Sequence, residues 1–84
     1  MDSEFFEKVN MVKTEIDKIF LDPVCKRNYK YAEQLSNEIF DEALEKYING
    51  ELTTSDLETV LDGLVVSAHM FAKLIELAVK PKQG

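Results

Sequence analysis

From about Thr54 to Lys80 the chain reads as one helix with too little polar surface to stay solvated on any broad side. At 3.6 residues per turn, Leu57, Leu61, Leu64, Ala68, Phe71, Ile75 and Ala78 form a continuous apolar stripe. Val66, Met70, Leu74 and Leu77 form a second stripe, rotated well away from the first. The polar strip between them holds Glu58, Asp62, His69, Lys73, Glu76 and Lys80. A helix that is apolar nearly all round needs cover on nearly all sides, from its own chain or from another. Protein binding is therefore the leading functional expectation, with Val66, Met70, Leu74 and Leu77 as its contact residues.

The rest of the chain is helical by the same periodicity. Phe5, Val9, Val12, Ile16 and Ile19 recur at helical spacing and predict a first helix over about 3–21, capped by Asp2 or Ser3. Phe6 and Phe20 widen that face on one side. Asp22-Pro23 interrupts, because the residue before a proline avoids helical geometry while proline suits a first helical position. A second helix over about 23–48 follows, with Asp22 as its cap. Tyr29, Ala32, Ser36, Ile39, Phe40, Ala43 and Tyr47 line one side of it, with Cys25 in its first turn and Leu35 and Leu44 at the edges. Asn49-Gly50 stops it. Thr53 then reads as a cap answered by Asp56, with Leu52 and Leu57 placed to clamp across the start of the third helix. Pro81 ends that helix.

The expected architecture is all-α: a single domain over 1–84 built as an antiparallel bundle of three helices, since short connections reverse the chain. A first helix of about 25 Å beside two of about 39 Å leaves length uncovered. A docked partner helix, or a second copy in a two-fold dimer, would fill it.

Acids outnumber bases by 16 to 10, and most of the surplus lies in the middle. Between Glu33 and Asp62 nine carboxylates face a single base, Lys46. Direct nucleic-acid binding is disfavoured, because phosphate contacts need clustered lysine and arginine. A basic protein surface is the better electrostatic match. Glu38, Asp41, Glu42 and Glu45 form an acidic ridge on one side of the second helix, which supports an alternative function: an inhibitor or nucleic-acid-mimicking decoy, of the kind phage and immunity proteins use, that blocks a basic groove. The lone cysteine cannot form an internal disulfide and no secretory leader opens the chain, so a cytoplasmic location is expected. The run from Gly63 to Val79 is too short, and too broken by His69, Lys73 and Glu76, to span a bilayer.

Catalytic chemistry finds little material. His69 is the single histidine, on the polar strip between Asp62 on one side and Lys73 and Glu76 on the other, and as a general base it would need a partner to orient it and a pocket to shield it. Cys25 sits where a helix dipole would activate a thiol, yet it also falls on the apolar stripe, where a buried inert role is commoner. Glu42-x-x-Glu45 followed by Glu58-x-x-x-Asp62 loosely resembles the paired acidic motifs of the all-helical nucleoside triphosphate pyrophosphohydrolases. That resemblance implies magnesium held between helices and a second alternative function as a phosphohydrolase. The second pair is one residue wider than the family's, and Glu45, Glu58 and Asp62 turn away from the apolar stripes. The sequence thus predicts a non-enzymatic module without cofactor, metal or catalytic residues.

Overall fold

The computed structural model describes residues 3–21 and 29–79, and these are organised as four helices rather than three. They are α1 (Ser3–Leu21), α2 (Tyr29–Ile48), α3 (Thr54–Leu61) and α4 (Ala68–Val79). The readings of Asp2, Asp22, Pro23, Cys25 and Pro81 fall outside the described residues.

The first two helices follow their periodicity. Phe5, Val9, Ile16 and Ile19 are buried on α1, and Ala32, Ser36, Ile39, Phe40, Ala43 and Leu44 on α2. Fully burying a side chain such as Phe40 or Ile39 stabilises the fold by about 1.5–3 kcal/mol. The start of α1 meets the end of α2: Lys46 Nζ stands 5.3 Å from the centre of the Phe5 ring, and Lys8 Nζ reaches Glu42 at 2.7 Å. At the other end Phe20 packs edge-on to Tyr29. The helix α2 is the hub, since α1, α3 and α4 all pack on it.

The turn out of α2 closes its last carbonyls on a left-handed glycine. Gly50 takes φ +80°, its N–H donates to Tyr47 O, and the N–H of Glu51 donates to Lys46 O at 2.8 Å. The cap of α3 then forms as its sequence demands. Thr53 Oγ1 accepts from the Asp56 N–H at 3.0 Å, and Asp56 Oδ2 accepts from the Thr53 N–H at 3.1 Å. Leu52 and Leu57 are both buried beneath this cap.

The single rod expected over 54–80 does not form. It breaks after Leu61, where Gly63 adopts φ +91°. Such a conformation costs a residue with a Cβ about 1–2 kcal/mol, so glycine makes it a stable place to stop. Lys13 from α1 secures the break by donating to the Thr59 carbonyl, one of those the helix leaves open. Residues 64–67 are not helical; Leu64, Val65 and Ser67 are buried while Val66 projects outward. The Val65 N–H donates to the buried Ser36 Oγ at 2.9 Å, and Ser67 Oγ donates to Asn37 Oδ1. Ser67 then caps α4, its hydroxyl accepting from the Met70 N–H at 3.1 Å.

The break also sets the direction of α4. Contacts step along both helices in the same order, Asn37 to Ser67, then Asp41 to His69, then Leu44 and Ile48 beside Lys73 and Leu77. So α4 lies along α2 in the same chain direction, which the expected up-and-down alternation of helices did not include. The shortest dimension of the molecule is 15 Å, one to two helices deep, and among the described residues no third layer covers the outer side of α4.

Candidate interaction surfaces

Because six residues between α3 and α4 leave helical geometry, the two apolar stripes exchange roles at the break. Leu57, Leu61 and Leu64 pack inward as expected, but their continuation on α4 turns out: Phe71 is 60% exposed, Ile75 47% and Val79 72%, with Ala68, Ala72 and Ala78 exposed among them. The expected contact residues are not one exposed face. Met70 is buried at 2% exposure, and Leu74 and Leu77 are half-buried against the core. Val66 alone of the four is open to solvent, and it precedes α4 rather than riding on it. The physical reason is Met70's place directly above the Ser67 cap, where pinning of Ser67 to Asn37 draws it onto α2.

The outer face of α4 is thus a large-and-small pattern, with Phe71, Ile75 and Val79 standing between alanines. Its polar flank begins with His69. That ring lies edge-on to the buried Phe40, and its Nε2 meets Asp41 Oδ1 at 2.7 Å. The partner is a carboxylate on α2 rather than Asp62 or Glu76, which the rod reading had placed nearest. With both side chains around half exposed, the contact positions α4 more than it stabilises it.

The acidic ridge is divided. Glu38, Asp41 and Glu45 are exposed on α2, whereas Glu42 is half-buried and turned to Lys8 of α1. Asp41 is taken by His69, while Glu38 and Glu45 have no ion-pair partner among the described residues. Among those residues, too, no three histidine, cysteine, aspartate or glutamate side chains come close enough together to hold a metal ion. The geometry therefore does not assemble the Glu42, Glu45, Glu58 and Asp62 constellation of the phosphohydrolase resemblance. No described helix is long and apolar enough to cross a membrane.

Between α2 and α4 runs a groove floored by Leu44, Ile48 and Leu77, with Asp41 and Glu45 on one rim and Lys73 and Glu76 on the other. Sequence reasoning did not find it, nor the Phe71 face. Both depend on the phase of α4, and the available signals were Gly63 inside an apparently helical run and Ser67 four residues on. No protein-family model, curated protein or solved structure matches the chain.

Proposed function

We propose that this protein is a small helical interaction module, whose α4 outer face packs against a helix of a second copy or of a partner protein. The observation that carries the reading is three large apolar side chains, Phe71, Ile75 and Val79, exposed at consecutive helical turns on a helix that packs on α2 by its opposite side. Scattered surface apolars are ordinary, whereas a contiguous stripe on one face is a docking feature. The alanines between them let a partner backbone approach closely.

Magnitudes set the kind of contact. Covering these three side chains gains about 1 to 2 kcal/mol each, given that they are already partly sheltered. Association costs at least about 4 kcal/mol in lost freedom. The face therefore supports a reversible contact rather than an obligate one. The test is sedimentation of the chain over a range of concentrations, paired with affinity capture, each repeated with Phe71→Glu and Ile75→Glu together. Association or capture lost in the double variant supports the reading. Association that persists unchanged, or a chain that stays monomeric and captures the same proteins with and without the substitutions, refutes it.

The acidic surface supports a second role, engagement of basic proteins through Glu38 and Glu45. Their carboxylates are exposed and unpaired among the described residues. Affinity for such a partner falls steeply with salt under this reading, and salt-independent binding contradicts it.

A further inference from the structure

We infer that the groove between α2 and α4 is a docking site for a short helical segment of a foreign protein, carrying apolar residues at helical spacing beside lysines or arginines. It is a separate surface from the outer face of α4. At 100° per residue, Lys73 and Leu77 leave α4 on the side opposite Ile75.

Size narrows the occupant first. The groove holds two adjoining hollows of about 110 and 240 Å³, which share Leu44, Ile48 and Lys73. Together they reach only the lower end of the range of small-molecule pockets, and as two steps along one helix they suit side chains inserted from a partner helix. From Asp41 to Ile48 the floor extends about 10 Å along α2, two turns of helix. An amphipathic helix with apolar anchors at i, i+3 or i+4, and i+7 has that reach.

The floor is ready for such anchors. Ile48, at the end of α2, is 64% exposed although Leu44 beside it is buried and Leu77 half-buried. Lys73 does not close the groove, for it makes no ion pair with Asp41 or Glu45 among the described residues, although all three line the same hollow.

Charge selects the partner's sign. The rims carry Asp41, Glu45 and Glu76 against Lys73, with His69 already on Asp41 and the exposed Glu38, unpaired among the described residues, one turn before it on α2. A second copy is a poor occupant, because the chain carries a net charge of −6 and would bring like charge to an acidic rim. A basic segment meets Glu38 and Glu45 without displacing an ion pair formed among the described residues.

The test is an NMR titration of the ¹⁵N-labelled full chain with a synthetic amphipathic peptide of about 14 residues, with leucines at i, i+4 and i+7 and lysines elsewhere. A second peptide carries glutamate in place of each lysine. Saturable shifts confined to Asp41–Asn49 and Lys73–Leu77 are expected, with the lysine peptide favoured by about tenfold or more. Reversing charge with Glu38→Lys and Glu45→Lys, both at exposed helical positions that leave the fold intact, is expected to weaken binding by about tenfold. Ile48→Asp is expected to abolish it. Four results would each overturn the inference: no saturable binding at millimolar peptide, equal affinity for the acidic peptide, shifts centred on Phe71 and Ile75, or groove shifts that arise on concentrating the chain alone. Only the third and fourth bear on the outer face of α4, so failure here is distinguishable from failure of that reading.

Discussion

Replacing Ser36 by alanine tests the device that ends the C-terminal rod. Ser36 is fully buried in the middle of α2, and its hydroxyl oxygen accepts the N–H of Val65, itself 9% exposed. Removing the oxygen leaves that N–H inside the protein with no acceptor, at a cost of about 1–3 kcal/mol. One smaller effect acts against this: alanine is the better helix former by roughly 0.5 kcal/mol. The void left by one oxygen is too small to admit a water that would replace the lost acceptor. The net loss is then about 0.5–2.5 kcal/mol, or a fall in Tm of roughly 3 to 15 °C for a domain of this size. Urea unfolding followed by circular dichroism measures it, with hydrogen exchange at the Val65 amide as the local readout. Thr59→Ala is the control: its exposed hydroxyl bonds only within its own helix, to Ser55 O, so a change within about 0.5 kcal/mol is expected. A Ser36→Ala chain as stable as the parent, with its Val65 amide still protected, would refute the reasoning.

Three further outcomes follow from the same geometry. Gly63→Ala is expected to cost about 1–2 kcal/mol, all of it from the backbone, since the nearest Lys13 carbon leaves an ordinary 3.6 Å for a Cβ; equilibrium unfolding checks it. Thr53→Ala removes the side-chain half of the α3 cap and is expected to lower stability by about 1 kcal/mol, with faster amide exchange at Asp56 as its signature. Phe71→Glu with Ile75→Glu is expected to leave thermal unfolding of the monomer nearly unchanged, because both side chains already face solvent; a large loss of Tm would mean that they are core residues.

Where a stretch of sequence had one apolar side, its structure was legible. The Phe5, Val9, Ile16 and Ile19 face of α1 and the Ala32 to Leu44 face of α2 are buried as their spacing requires. The Thr53–Asp56 cap was legible because it uses only local hydrogen bonds. The C-terminal third was not, for a physical reason. A segment apolar nearly all round has no phase to lose, so a break inside it leaves the wheel looking continuous. Gly63 and Ser67 were the sole punctuation, and each is tolerated within a helix. What decides against the rod is tertiary: Ser36, Asn37 and Lys13 supply partners for groups that only a broken helix presents. That one displacement moved the exposed stripe from Met70, Leu74 and Leu77 to Phe71, Ile75 and Val79, and turned His69 from its own helix toward Asp41.

The most direct measurement is the pattern of sequential NOEs and Cα chemical shifts from Glu58 to Ala72 in solution. Helical i to i+3 contacts stopping at Leu61, extended shifts at Val65 and Val66, and helical contacts resuming at Ala68 are predicted. Unbroken helical contacts through Gly63 would contradict the account, because a continuous rod returns Met70 to the surface and takes Phe71 and Ile75 off it.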